Sequence, residues 1–187
     1  MKRQGEMDRR ELLAVLAGAG ASASGMLAAS AGIALAAPVL LQAVPGTPSA
    51  PAFALPDLDG KTRTLDEFSG RIMVVNFWAT WCPPCRAEIP SMQRSLAKLD
   101  EAGAVMLAIH VGGDADEVWS FLTPLGVTFP VLIDASGSVS RAWQTVGLPT
   151  THVVDPAGRK SLRAIGERTW DAPEIIAQIV ALKQPAR

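Results

Sequence analysis

Short, continuous apolar runs alternate with segments of helical spacing along the C-terminal two thirds of the chain. The runs Ile72–Trp78 and Val105–Val111 are almost entirely apolar, which is typical of strands buried on both faces. Between them, residues 83–100 place apolar side chains three or four positions apart, which predicts a helix with one buried face. A strand, a helix and a second strand in this order indicate an α/β fold, with helices packed on a sheet.

Turn residues and shorter patterns predict the remaining elements. An Asp59–Gly60 turn predicts a β-hairpin over residues 53–65. The other predicted elements are a helical turn at 66–70, a helix at 114–125, a strand at 130–133, a brief helix at 137–142, a hairpin of strands 151–155 and 159–165, and a final helix at 171–183. This order predicts a three-layer sandwich with a mixed central sheet and an N-terminal hairpin extension.

The N-terminal quarter of the chain follows neither pattern. Arginines and a lysine crowd the first ten residues, and residues 12–56 then carry no charge and are rich in Ala, Gly, Ser and Leu. A soluble helix of that length would include charged residues on its exposed face. We therefore predict a targeting or anchoring segment at 1–44, a linker at 45–52 and a folded domain at 53–187.

The basic start of this segment is similar to an export signal. Residues 8–13 (DRRELL) resemble the twin-arginine motif, from which Asp8, Leu12 and Ala14 depart. Ordinary secretory export is the alternative. Ala34–Ala36 offers a small-x-small cleavage pattern, whereas an uncut segment exceeds the roughly 20 residues that span a bilayer. Both outcomes place the folded domain outside the cytoplasm, in the periplasm or anchored to the membrane.

The charge balance bears on the partners of the protein. Seventeen Lys and Arg residues against 18 Asp and Glu residues give a net charge of −1. Since no basic patch accompanies this balance, we do not expect a nucleic-acid partner.

The two cysteines of the chain, Cys82 and Cys85, directly follow the first buried strand and open the predicted helix. The helix dipole stabilises a thiolate at such a position. A disulfide across two intervening residues closes too small a loop to stabilise a fold much through chain entropy. The pair is therefore better explained as a redox pair for thiol–disulfide exchange than as a structural bridge.

Residues 76–90 (NFWATWCPPCRAEIP) and 147–155 (GLPTTHVVD) resemble motifs of the thioredoxin superfamily, and more closely its TlpA/ResA-like extracytoplasmic thiol-disulfide oxidoreductases. The resemblance covers about residues 53–184. It implies a thioredoxin-like fold and reduction of protein disulfides, for example in cytochrome c maturation or cytochrome oxidase assembly. It also implies protein substrates with cysteines, a membrane thiol electron donor and no cofactor.

We expect Cys82, exposed ahead of the helix, to be the attacking thiol and Cys85 to be the buried resolving thiol. Pro83 and Pro84 have no backbone N–H, so the nearest helical donor to a Cys82 thiolate is the amide of Cys85. A less stabilised thiolate makes the couple less oxidising, which favours a reductant. The alternative is that the two prolines only stiffen the loop.

Glu88 stands three residues after Cys85, on the same helix face. By the resemblance, Asn76 occupies the position of a buried thioredoxin aspartate, and an amide cannot titrate. We therefore assign proton transfer to Glu88, whose pKa burial beside a thiol would raise. The alternative is a solvated helix residue. Pro90 is expected to kink this helix.

The resemblance also implies a substrate-binding edge. Pro149 matches the cis-proline that faces the cysteines in this superfamily, and with Leu148 and Trp81 it is expected to bind the substrate strand.

Two other functions use the same residues or the same fold. A reduced Cys82–Cys85 dithiol could bind Cu(I) as a copper chaperone, and a peroxidase of related fold would need an isolated reactive cysteine. The spacing of His110 and His152 fits no compact zinc pattern, so no metal site is predicted.

Trp119, Trp143 and Trp170 are interpreted as packing residues.

Overall fold

A computed structural model describes residues 40–183 of the protein. Its strands are β1 (Gln42–Ala43), β2 (Ala54–Pro56), β3 (Thr62–Thr64), β4 (Ile72–Trp78), β5 (Ala104–Val111), β6 (Val131–Asp134), β7 (Thr150–Val154) and β8 (Lys160–Ile165). Its α-helices are α1 (Pro83–Glu101), α2 (Ala115–Leu122), α3 (Ser138–Ala142) and α4 (Pro173–Val180), and short 3-10 helices lie at Leu65–Phe68, Thr123–Leu125 and Ala181–Lys183.

Six strands form one mixed sheet in the order β1-β8-β7-β4-β5-β6. Strand β4 runs parallel to β5, and β5 runs parallel to β6. Strand β7 runs antiparallel to both β4 and β8. All seven residues of β4 are buried, which explains why this strand reads as an uninterrupted apolar run. The predicted mixed α/β fold is confirmed.

Alternate residues of β4 face two apolar clusters on opposite sides of the sheet. One cluster joins Val74 and Trp78 to the buried faces of α1, α2 and α4. The other joins Val75 and Phe77 to α3, the β2 strand and the 3-10 helix Leu65–Phe68. This two-sided burial produces the predicted three layers.

The predicted N-terminal hairpin forms from β2 and β3 as a separate two-stranded sheet. The Asp57 carboxylate accepts hydrogen bonds from the amides of Asp59 and Lys61, and Gly60 has φ +77°. A glycine suits that backbone conformation because it has no Cβ. An isolated bridge between Asp57 and Leu132 connects the hairpin to β6.

Residues 41–50 add an edge to the sheet that side-chain patterns did not predict. They lie within the range assigned to the targeting segment and the linker. Gln42 pairs with Arg163 and Ala43 pairs with Leu162 in β8, while Leu41 exchanges two backbone hydrogen bonds with the Gln178 side chain. Backbone pairing and the buried Leu41 side chain hold this edge, but both residues of β1 are exposed, so no apolar alternation marks it.

The predicted targeting segment lies mostly outside the described residues, and so do the twin-arginine motif and the candidate cleavage site. Between residues 40 and 183, none of the helices has the length and apolar character needed to cross a bilayer.

Candidate active site

Helix α1 begins at the two cysteines. Cys82 is its N-cap residue, and Pro83 and Pro84 form the start of the helix. Cys82 and Cys85 are joined by a disulfide, so the structure shows the oxidised protein. The Cys85 amide lies 3.4 Å from Cys82 Sγ and donates to it. This is the donor that the sequence predicts.

Cys82 is less exposed than the sequence predicts. Only 4% of the residue is exposed, and Cys85 is fully buried. The prediction of an exposed Cys82 is wrong for the oxidised protein because the disulfide directs its sulfur toward the buried Cys85 and the helix. The exposed surface around Cys82 belongs instead to Trp81, which is 71% exposed, and to the two prolines.

The loop that precedes Cys82 is held by His110 and Glu117. The Thr80 amide donates to His110 Nε2 at 3.0 Å, and the Thr80 hydroxyl donates to the Glu117 carboxylate. His110 Nδ1 donates to the carbonyl of Gly112 at 2.6 Å, and burial lowers the pKa of His110. A neutral imidazole is required because Nε2 must accept. The interpretation of His110 as an ordinary strand residue is therefore incomplete, because its ring also holds the loop that precedes Cys82.

Glu88 is buried on α1, one turn after Cys85, with 1% of the residue exposed. Its Oε1 accepts from Asn76 Nδ2 at 2.7 Å. Its Oε2 accepts from Trp170 Nε1 at 3.0 Å and from the Arg168 amide at 3.2 Å. The alternative of a solvated helix residue is therefore wrong.

Burial raises the pKa of Glu88 to about 7, and the hydrogen bonds from Trp170, Asn76 and Arg168 oppose that rise. Desolvation disfavours the carboxylate, whereas donors favour it. Near neutral pH the group therefore exists in both protonation states, as a general acid or base requires.

Asn76 links the Glu88 site to the sheet. Its amide nitrogen also lies 2.8 Å from the Thr151 hydroxyl of the neighbouring strand β7, to which it donates.

Two other buried carboxylates stabilise local structure away from the cysteines. Asp134 accepts from the amides at the start of α3, and Asp155 pairs with Arg159.

The Leu148–Pro149 peptide bond is cis, as the resemblance implies. Phe77 of β4 pairs with Thr150 of the antiparallel strand β7. The segment that follows β4 and the segment that precedes β7 therefore leave the sheet at the same end. This places Trp81 and Cys82 at the end of the sheet from which Leu148 and Pro149 enter β7.

The second histidine, His152, lies on the opposite face of the sheet from the cysteines. Its ring packs edge-on against Phe77 and Trp143, and in the described part of the chain neither ring nitrogen has a hydrogen-bond partner. Burial and the nearby charges of Lys160 and Arg163 lower its pKa to about 4. Among residues 40–183, no cluster of three or more His, Cys, Asp or Glu side chains could hold a metal ion.

The three tryptophans that were interpreted as packing residues differ in their surroundings. Trp119 is largely exposed, whereas Trp143 and Trp170 are buried. Trp170 does more than pack, because its indole binds Glu88. Sequence spacing gave no sign of this contact, since the two residues are 82 positions apart.

A family model matches residues 47–159, and its description is the AhpC/TSA family. The chain belongs to this family. Its relatives include thiol-disulfide oxidoreductase ResA of Geobacillus thermodenitrificans, 37% identical over 59% of this chain and 64% of that protein. ResA of Bacillus thuringiensis subsp. konkukian is 36% identical over 67% of this chain and 72% of that protein. The chain thus spans less than two thirds of the first of these relatives.

A solved structure is similar to this chain as well. The crystal structure of a putative thiol:disulfide interchange protein DsbE from Chlorobium tepidum has a TM-score of 0.68 and 30% identity, over 74% of this chain and 97% of that one. The resemblance to ResA-like thiol-disulfide oxidoreductases is confirmed, and so is the thioredoxin-like fold. Both of the ResA relatives are named thiol-disulfide oxidoreductases.

Proposed function

We propose that this protein is an extracytoplasmic thiol-disulfide oxidoreductase that reduces disulfides in other proteins. One observation carries the proposal. The redox pair Cys82–Cys85 opens helix α1, and a buried carboxyl with a pKa of about 7 follows one turn later at Glu88. A nucleophile, a resolving thiol and a titrating group thus lie together at one end of a single helix.

The reaction begins from the reduced dithiol. The Cys82 thiolate attacks one sulfur of the client disulfide, so that a mixed disulfide forms and the second client sulfur leaves as a thiolate. Cys85 then attacks Cys82 Sγ, which forms the Cys82–Cys85 disulfide and releases the first client sulfur. Two electrons pass from the dithiol to the client, and the protein finishes in the oxidised state that the structure shows.

The resolving step needs a base because Cys85 is fully buried. Burial raises the pKa of a thiol, and only the thiolate attacks. The Glu88 carboxylate is on the same helix face and takes the proton of the Cys85 thiol. Asn76, which donates to Glu88, orients the carboxylate but cannot take a proton.

The start of α1 supports the reducing direction. A side chain at the N-cap position ordinarily accepts from the second or third amide of the helix. The second position is Pro84, which has no N–H, and the Cys85 amide is the donor at the third. A Cys82 thiolate with fewer donors is less stable, so the dithiol gives up its electrons more readily.

The clients and the donor follow from the resemblance to TlpA/ResA-like proteins. We propose that the clients are cysteine pairs that await haem or copper, in cytochrome c maturation or cytochrome oxidase assembly. A membrane thiol protein would restore the dithiol after each turnover. The N-terminal segment would export the domain or anchor it to the membrane.

Trapping of the mixed disulfide tests this function. Cys85→Ala removes the resolving thiol, so the protein should stay linked to its clients through Cys82, and mass spectrometry should identify both the linked cysteine and the captured proteins. The double variant Cys82→Ala, Cys85→Ala is the control and should capture nothing. Equal capture by the single and double variants would contradict the proposal.

A further inference from the structure

Residues 166–170, in the loop between β8 and α4, contact the candidate site at several points. The Gly166 amide donates to the carbonyl of Pro149 at 2.8 Å. The Arg168 amide and the Trp170 indole both donate to Glu88 Oε2. One loop thus contacts both the cis-proline and the titrating carboxyl.

The same loop is hydrogen-bonded to α1 beside Glu88. The Trp170 amide donates to Ser91 Oγ at 3.1 Å, and the Ser91 hydroxyl donates to the Glu88 carbonyl at 2.8 Å. Both anchoring groups, Ser91 and Trp170, are buried. The indole is therefore held at a fixed position relative to the turn of α1 that carries Glu88.

Glu88 is held from two elements that are remote in sequence. Asn76 of β4 binds Oε1, and the 166–170 loop binds Oε2 through two donors. A carboxylate whose two oxygens accept from different elements cannot rotate without losing at least one hydrogen bond. An indole N–H donates without titrating, so Trp170 supplies this constraint at any pH.

We propose that Trp170 is a positioning residue, whose indole N–H fixes the orientation of the Glu88 carboxylate beside the cysteine pair and stabilises its charged form. The kinetic part of this inference rests on the proposed function, and the electrostatic part does not. A phenylalanine would fill most of the indole's space but could not donate.

The hydrogen bonds that Glu88 accepts stabilise its charged form although a second carboxylate lies nearby. Glu167, in the same loop, raises the pKa of Glu88. The Arg168 guanidinium donates to the carbonyls of Gly166 and Glu167. Asn76 of β4, which donates to Glu88, and Thr151 of β7, which accepts from Asn76, are both neutral, and Cys85 lies on α1 itself. The donors therefore oppose both burial and Glu167.

Trp170→Phe tests the proposal, with Trp143→Phe as the matched control. Trp143 is also fully buried and its indole donates to the Pro51 carbonyl at 3.0 Å, but it belongs to the cluster on the other face of the sheet. Both variants lose one hydrogen bond that an indole N–H donates. Only the first loses a donor to Glu88.

The main readout is the titration of a ¹³C-labelled Glu88 carboxyl, followed by NMR in the oxidised protein. A hydrogen bond to a charged group is worth enough to move a pKa by about one unit. We expect the Glu88 titration to move up by about one pH unit in Trp170→Phe, and the pH profile of disulfide reduction to move with it. Trp143→Phe should leave both unchanged. An unchanged Glu88 titration in Trp170→Phe would overturn the proposal.

A second measurement covers the case in which Trp170→Phe does not fold. In the wild-type protein, the indole N–H resonance of Trp170 should follow the Glu88 titration, and Glu88→Gln should abolish that change. A resonance that does not move between pH 5 and 9 would overturn the proposal. If the wild-type protein reduces no disulfide while Trp170→Phe still shifts the Glu88 titration, the proposed function fails and the positioning role is supported.

Discussion

Burial and hydrogen bonding act on the carboxyl of Glu88 in opposite directions. Desolvation raises its pKa, and the donors from Trp170, Asn76 and Arg168 lower it again, which leaves a value of about 7. The donors keep the charged form accessible near neutral pH. Without them, a carboxyl this deeply buried would remain protonated and could not serve as a base.

Cys82→Ser should abolish the reduction of insulin disulfides, because the hydroxyl that replaces the thiol cannot form a mixed disulfide. Unfolding in urea should give nearly the stability of the wild-type protein, since a bridge across two residues adds little chain entropy. Cys85→Ala is the control, and it should still form a mixed disulfide but should not complete the turnover. Retained insulin reduction in Cys82→Ser would contradict the assignment of the nucleophile.

The residues of the site divide into those that sequence could predict and those that it could not. Cys82, Cys85 and Glu88 share one helix, so their spacing already places them on neighbouring faces. Trp170 and the Arg168 amide reach Glu88 from a loop at the other end of the chain, and no local spacing reports such a contact. The burial of Cys82 was also missed, because it depends on the disulfide.

The strands and helices also divide into those that the sequence could predict and those that it could not. Strand β4 is buried on both faces and helix α1 has one buried stripe, so both were predicted to within a residue or two. Strand β1 consists of two exposed residues that pair with β8 through the backbone. A strand of that kind leaves no apolar pattern for sequence reasoning to find.

Pro84→Ala should make the Cys82–Cys85 redox couple less reducing. The substitution restores an N–H at the second position of α1, where it can donate to the Cys82 thiolate. A further donor to the thiolate stabilises the reduced form, and an effect of about 1.4 kcal/mol corresponds to about 30 mV. We therefore expect a reduction potential about 30 mV higher, measured by equilibration with glutathione.

Pro90→Ala is the matched control for this measurement. Pro90 is also exposed and lies inside α1, but away from the first turn. Its replacement should leave the reduction potential unchanged. Equal potentials for wild type, Pro84→Ala and Pro90→Ala would indicate that Pro84 only stiffens the loop.

At the scale of the whole molecule, Glu88 and His152 give stability opposite dependences on pH. The pKa of Glu88 is raised from 4.5 to about 7, so the folded state loses stability as pH rises through that window. The pKa of His152 is lowered from 6.5 to about 4, so the folded state loses stability as pH falls through that window. His110, whose pKa burial also lowers, acts in the same direction as His152.

Single substitutions should separate these two effects between pH 4.5 and 7. Each group contributes on the order of 3 kcal/mol across its window. In His152→Phe, the free energy of unfolding should fall as pH rises, because the large shift of Glu88 outweighs the opposing shift of the remaining His110. In Glu88→Gln, it should rise with pH, because the histidines remain. Urea unfolding at four or five pH values measures both slopes, and two variants with the same sign of slope would contradict this account.

The proposed export of the folded domain is also a property of the whole molecule. Changing Arg9 and Arg10 together to Lys should block twin-arginine export and make the precursor accumulate in the cytoplasm, as detected by fractionation and immunoblotting. Changing Lys2 and Arg3, which lie outside the motif, to Arg and Lys is the control. Unchanged export of the Arg9, Arg10 variant would support the ordinary secretory route instead.

The most direct test of the central claim is single-turnover reduction of a model disulfide by stopped flow between pH 5 and 9. We expect Glu88→Gln to slow the reaction about 100-fold near neutral pH, because a positioned general base is lost. Its profile should also lose the limb that belongs to the coupled Glu88–cysteine system. Glu101→Gln, at the exposed end of the same helix, should match the wild-type protein. Superimposable profiles for wild type and Glu88→Gln would contradict the account.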